Sequence, residues 1–288
     1  MSQPENNILK GVLAFILCAG EGTRIQEYHK DSPKPLLGLK AENNRSILEL
    51  LLTRLFQQGV PKIIIAKGYQ KEKIEEFIVQ FRRNNGLSSD QLTAIYAGLW
   101  KLGPLFSFLS VLEDKSVILK NKHLLIIPGD TIFEVEILRQ IFKAFIPHLT
   151  QLTEQPLIFY RKIKARILLK KHKRALNKVE KLISVALIEE SPSNVEFKGI
   201  IQENLKNYNL NDIIYQIIPF FILNLDFIEI IREYLSDDLV RTFRQAINHS
   251  IKDNVPIHAV EIITDSDFYD IDTKLDLEQY EKLKRIGQ

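Results

Sequence analysis

One cysteine, one tryptophan and one methionine stand among 288 residues. A lone thiol, Cys18, excludes an internal disulfide and any zinc site built on cysteines. It closes an apolar run, so it reads as a small buried side chain. The histidines, His29, His123, His148, His172, His249 and His258, include no pair spaced three or four apart, which excludes a helical metal site built on them. No apolar run approaches the ~20 residues that a membrane span needs. Met1–Lys10 is polar and has no apolar signal region, so the expected placement is cytoplasmic. Net charge is only +3, which gives no global case for nucleic-acid binding.

What the chain does have is an ordinary apolar share, 45%, enough to bury a real core. It also has one unusual stretch, Leu17–Leu36. The apolar run Val12–Leu17 reads as a buried central strand. It leads into Ala19-Gly20-Glu21-Gly22-Thr23-Arg24, and Pro33-Lys34-Pro35-Leu36 follows. Gly20 and Gly22 allow a tight turn that brings backbone N–H groups against a ligand. A loop at the carboxyl end of a strand is where open α/β sheets bind nucleotides. Arg24 offers a fork of donors suited to phosphate oxygens, and Lys34 a point charge between prolines that limit backbone movement. The stretch predicts a polyphosphate cradle with two converging cations.

These residues resemble the signature of the sugar-phosphate nucleotidyltransferase family, G-x-G-T-R followed by P-K-x-L. The resemblance implies an α/β fold of the nucleotide-diphospho-sugar transferase (GT-A-like, Rossmann-like) kind. It implies an enzyme that joins a nucleoside triphosphate to a small phosphorylated acceptor and releases pyrophosphate. In such a family Ala19, Gly20, Glu21, Gly22 and Thr23 bind the nucleotide. Arg24 and Lys34 neutralise phosphate charge. The small turn at Gly103 lies beside the base and sugar. Sugar-phosphate members usually have G-T-A-G there, whereas Gly103-Pro104-Leu105 is closer to molybdopterin-type relatives.

Along the chain, Ser46-Ile47-Leu48-Glu49 is a capping-box pattern and opens a helix to Gln58, with Gly59 and Pro61 beyond. Lys62–Ala66, Leu92–Ala97 and His123–Pro128 read as strands. Lys71–Arg83 and Leu105–Glu113 read as helices, as does Glu134–Phe145, ended by Pro147. This alternation predicts a mixed, mainly parallel central sheet with helices on both faces. The expectation is a single domain over 1–288, with a nucleotide half over about 12–150 and an acceptor half over about 151–288. In the second half Leu157–Tyr160, Leu182–Ile188 and Val260–Ile263 read as strands, and Ile213–Leu223 as one or two. Asp226–Leu235, Asp238–Lys252 and Thr273–Arg285 read as helices.

The chemistry the resemblance implies is electrostatic: two anions must meet, so positioning and charge neutralisation by Mg²⁺, Arg and Lys carry it. Mg²⁺ takes hard oxygen ligands. Asp130 follows a buried strand and a glycine and is the first expected ligand. Asp270, in Phe268-Tyr269-Asp270-Ile271-Asp272-Thr273, is the second, although D-x-D-T is also good capping chemistry. Asp272 stands where the family has glycine and is read as a cap of the last helix, with Thr273 and Asp276.

Weaker signals remain. Glu190 replaces a lysine that touches the acceptor phosphate in sugar-phosphate members, and Lys198 is the suggested substitute. The basic run Arg161–Lys181 reads as a solvated helix face, or as a docking surface for an anionic acceptor or a membrane surface, with Ile167, Leu168, Leu169 and Leu176 keeping it amphipathic. Tyr96 and Trp100 read as core residues, with stacking on a base as the alternative. The favoured acceptor is a sugar 1-phosphate. Molybdopterin- or phosphocholine-type transfer and a non-catalytic nucleotide-binding regulatory subunit are the rivals, and a homo-oligomer is left open.

Overall fold

The computed structural model describes residues 9–28, 31–117, 123–150, 155–172, 181–191, 194–235 and 240–286. The uninterrupted apolar run forms strand β1, Val12–Cys18, buried along nearly its whole length. A short antiparallel pair follows, β2 (Gly38–Leu39) and β3 (Arg45–Ser46). Helix α1, Ile47–Gln57, starts where the Ser46 hydroxyl accepts the Glu49 N–H at 3.1 Å, and the chain leaves it through Gly59 at φ 84°. Then come β4 (Ile63–Lys67), α2 (Lys71–Asn85), β5 (Leu92–Tyr96) and α3 (Pro104–Leu112). Gly86, at φ 63°, ends α2 in the left-handed region that glycine tolerates. Next are β6 (His123–Pro128), the short β7 (Thr131–Phe133), α4 (Val135–Thr150), β8 (Leu157–Lys164) and α5 (Ala165–Lys171). The long hairpin β9 (Leu182–Ser191) and β10 (Asn194–Asn204) follows, then β11 (Ile213–Leu223), α6 (Leu225–Tyr234) and α7 (Phe243–Lys252). The chain closes with β12 (His258–Glu261), β13 (Phe268–Asp270) and α8 (Lys274–Ile286).

Among the described residues, nine strands share one mixed sheet. β6, β1, β4 and β5 lie side by side and parallel. β11 joins β6 antiparallel at Phe221–Leu223, so the strands of the second half continue the sheet of the first. Helices cover both faces. On one, Ile16, Ile65, Ile78, Leu138 and Phe159 belong to a single buried cluster. On the other, Phe15, Ile64, Phe108, Phe227 and Phe243 form a second. The mixed α/β expectation is met, and no helix among the described residues is long and apolar enough to cross a membrane.

Several boundaries differ from the sequence reading. Helix α4 runs through Pro147 to Thr150. A proline so near the carboxyl end forfeits little of the ladder, while Ile137, Ile141 and Phe145 anchor the helix in the core. Helix α7 begins at Phe243, because the Thr242 hydroxyl caps it by accepting the Gln245 N–H at 3.2 Å; Asp238, the start read from the sequence, lies outside the described residues. β10 and the β7–β13 pair carry no strong alternation in sequence. They form because β9 supplies the partner of β10, and β7 and β13 supply each other's.

Gly129, at the end of β6, is held against β1. A Cβ there would strike Cys18 Sγ and lie 2.9 Å from the Leu17 carbonyl oxygen. Gly129→Ala is therefore expected to destabilise the protein by about 1–3 kcal/mol through overpacking, read as a lowered urea midpoint with an unchanged slope.

Candidate active site

The sheet splits beside β11. One edge of that strand pairs continuously with β8, apart from an irregularity between Ile218 and Phe221. The other edge meets β9 at Gln216 and β6 only at Phe221–Leu223. Pro219, which has no N–H to offer a neighbour, sits in the gap. A cavity of about 510 Å³ opens there, bounded by Ala19 and Gly20 after β1, Gly103 before α3, Asp130 after β6, and Asp270 and Asp272 at the end of β13.

At its mouth the charged groups converge. Lys34 lies in a tight turn, Lys34–Leu36, with its side chain only 6% exposed. Its Nζ donates to Asp130 Oδ2 at 2.7 Å and to Asp272 Oδ1 at 3.0 Å. Burial works against that charge, but the two carboxylates outweigh it and hold the ammonium above its ordinary range. Arg24 stands at the rim with a 69% exposed side chain and reaches Asp272 Oδ1 at 3.0 Å. Burial also opposes ionisation of Asp272, yet Lys34 and Arg24 draw its carboxyl below the usual range. Asp270 accepts the Thr131 hydroxyl at 2.6 Å. Its surface is exposed to the cleft, although protein crowds closely around the carboxyl group. That burial pushes its carboxyl up to about 6, against the Thr131 bond and with help from the Asp272 and Asp130 charges.

The structure thus brings Arg24, Lys34, Asp130 and Asp270 to one place, with Ala19, Gly20 and Gly103 on the same cavity wall. Glu21, Gly22 and Thr23 lie outside that wall. Gly22 instead makes the turn, at φ 62°, and Thr23 begins a short 3-10 segment carrying Arg24. Gly20 faces open space, with nothing within 4 Å of a would-be Cβ.

Asp272 is the residue the sequence reading misplaced. It binds both cations, and the helix cap belongs to Thr273 and Asp276 alone. The Thr273 N–H donates to Asp276 Oδ2 at 2.9 Å, and the Asp276 N–H to Thr273 Oγ1 at 3.3 Å. The available signal was the adjacent Thr273, itself sufficient as a cap, which left Asp272 free for other chemistry.

Other expectations shift too. Lys198 does not line the cavity; it pairs with Glu189 at 3.4 Å and with Glu196. Glu190 pairs with Lys162 at 2.8 Å. Trp100 lines the cavity, whereas Tyr96 is 46% exposed under Lys71, not a core residue. The basic run is not one solvated helix face. Arg161 and Lys171 are buried on Asp267 at 2.6 and 2.8 Å, and Lys181 binds Asp276 at 2.8 Å. Leu168 is buried and Ile167 exposed, while Leu176 lies outside the described residues.

His172 closes the cavity wall beside these lysines. Burial, and then the Lys181 and Lys171 charges, depress its pKa to about 3. The unfolded chain takes up a proton near pH 6.5 that the native state refuses. Stability present above pH 6.5 is therefore lost progressively as pH falls toward 3. At pH 5 the loss is about 2 kcal/mol. His172→Gln is expected to flatten that part of the stability–pH curve, measured by urea unfolding between pH 7 and 5.

A glycine loop and Asp130 follow the carboxyl ends of parallel strands, and two cations, with two carboxylates from the end of β13, join them there, at the edge where α/β sheets bind their ligands. The chain belongs to the family of MobA-like NTP transferase domains, whose model matches residues 14–186. It is 39% identical over 64 residues to the D-glycero-alpha-D-manno-heptose 1-phosphate guanylyltransferase of Campylobacter jejuni, covering 22% of this chain and 28% of that protein. Over 81 residues it is 36% identical to a probable glucose-1-phosphate cytidylyltransferase of Bacillus subtilis, covering 28% of this chain and 31% of that one. The matched part therefore spans less than a third of either relative's length. The solved inositol-1-phosphate CTP transferase of T. maritima superposes with a TM-score of 0.64 at 14% identity, over 95% of this chain and 94% of that one. At that identity the likeness shows the fold.

Proposed function

We propose that this chain transfers a nucleoside monophosphate from a nucleoside triphosphate to a small phosphorylated acceptor, a sugar 1-phosphate, and releases pyrophosphate. One observation carries the reading. Lys34 is buried between Asp130 and Asp272, residues 96 and 238 positions away, at the mouth of a substrate-sized cavity. A buried cation held between two carboxylates contributes little to net stability, so its placement there points to phosphate chemistry.

The attacking acceptor phosphate is already anionic at neutral pH, so no general base is needed. Gly20 leaves room for the triphosphate to approach the backbone. Arg24, exposed at the rim, swings onto the β- and γ-phosphates. Lys34 holds the α-phosphate and the acceptor phosphate together, and Asp272 keeps both cations aimed. Asp130 and Asp270 would hold Mg²⁺. The donors are hard carboxylate oxygens that line one cavity, which suits a small divalent ion. When bound, that ion supplies neutralisation of triphosphate charge.

The test is pyrophosphate release from CTP, GTP, UTP, dTTP and ATP against a panel of sugar 1-phosphates and choline phosphate, with magnesium present. One pair is expected to turn over. Release no greater than a protein-free blank with every pair would leave only the nucleotide-binding subunit.

A further inference from the structure

In the cavity wall lies a polar side chain that none of this chemistry uses. Gln216 is 7% exposed and lines the cavity. Directly opposite it on β8 stands Arg161, itself 3% exposed. The Gln216 Oε1 accepts from Arg161 Nε at 3.0 Å and from a terminal guanidinium nitrogen at 2.8 Å. Arg161 is fixed in turn by the Ser266 carbonyl at 2.8 Å and Asp267 at 2.6 Å. A guanidinium has only donors, so the amide end that faces it must be the oxygen. The Nε2 end is left to face the cavity that the residue lines. An amide whose oxygen is taken by Arg161 offers its two N–H donors to the cavity, where acceptor oxygens of a ligand can replace water.

The neighbouring charges narrow the ligand further. Lys171 is bound by Asp267 at 2.8 Å and the Phe268 carbonyl at 2.7 Å, and Lys181 by Asp276 at 2.8 Å. Lys171 also sits 4.1 Å above the Tyr269 ring. That ring face, which would otherwise suit a quaternary ammonium, already carries a cation. A choline-like acceptor would meet two lysines and an amide with nothing to accept from it. A hydroxylated ring would supply what the amide lacks.

We propose that Gln216 is a specificity-determining residue of the acceptor pocket, donating to a hydroxyl or ring oxygen of a polyhydroxyl phosphate, a sugar or cyclitol phosphate. Arg161 is its positioning residue, fixing which end of the amide faces the substrate. The inference rests on the transferase reading above.

The experiment uses the full chain, the nucleotide and acceptor pair that turns over, and singly deoxygenated forms of that acceptor. Gln216→Met removes the donors. Gln216→Glu removes them but keeps an acceptor for Arg161, so it guards against a failure to fold. Both are expected to raise the acceptor KM about tenfold or more, the worth of a hydrogen bond to a buried group, with the nucleotide KM changed less than twofold. In the wild type, one deoxy position should cost about tenfold in kcat/KM, and in Gln216→Met that cost should vanish. An acceptor KM within twofold of wild type in both variants would overturn the proposal. So would an unchanged deoxy penalty, or a preference for choline phosphate over every sugar and cyclitol phosphate. Absence of turnover with every pair would overturn the transferase reading and this inference with it.

Discussion

Asp130→Asn is expected to cut nucleotidyl transfer by roughly 10²–10³, the usual cost of losing one electrostatic group from a preorganised site, while the protein stays folded. Asparagine has the same shape, and its amide oxygen still accepts from Lys34, now 2.7 Å from Asp130. Lys34 also keeps Asp272 at 3.0 Å, so the buried ammonium is not left bare. The carboxylate is 37% exposed, which limits what its charge adds to stability. The melting temperature should therefore move by no more than about 4 °C. The measurement is single-turnover pyrophosphate release beside a thermal melt. A dead and unfolded variant would implicate the fold. Turnover like the wild type would remove Asp130 from the proposed metal-holding pair.

The parts of this site that sequence made visible are those whose geometry is local. The Gly20–Arg24 loop follows a strand directly, and the Pro33–Leu36 turn is rigid by composition. Their ends, Gly20, Arg24 and Lys34, meet at the cavity because few residues separate cause and effect, whereas Glu21, Gly22 and Thr23 stay outside its wall. Asp130 was legible for the same reason: strand, glycine and aspartate are contiguous. Asp272 was not. Its partners Lys34 and Arg24 are far away in sequence, and its own place just before a helix offered a local explanation, a cap, that Thr273 in fact supplies. The basic run fails in the same way. Ten cations in sequence suggest a solvated face, yet Arg161 and Lys171 turn inward because Asp267, about a hundred residues later, is there to meet them. Long-range ion pairs leave no periodic trace. The gap in the sheet is equally hidden, since Pro219 reads as one more residue of an apolar run until its unpaired edge is seen beside β9 and β6.

Asp267→Asn is expected to be the most destabilising single change outside the apolar core, by about 3–5 kcal/mol, because it leaves buried cations without their counter-charge. Asp267 Oδ1 accepts from Arg161 at 2.6 Å, and its other oxygen meets Lys171 at 2.8 Å. The side chains of those two cations are 4% and 8% exposed, so water cannot take over. The pH dependence distinguishes this account from a mere packing defect. Burial opposes ionisation of Asp267, but Lys171 and then Arg161 prevail and hold its carboxyl below the usual range. A carboxyl with a depressed native pKa contributes stability above its unfolded value, about 3.9, and loses it as pH falls through the native value. The gap between wild type and Asp267→Asn in urea midpoint should be full at pH 7 and 5 and should close below about pH 4. A gap that persists unchanged to pH 3 would mean that the loss is steric. The same variant tests the link to the site, because Asp267 is followed directly by β13, which carries Asp270. Partial unfastening of that strand at neutral pH should weaken turnover before the protein as a whole unfolds, seen as activity lost at lower urea than the far-ultraviolet signal.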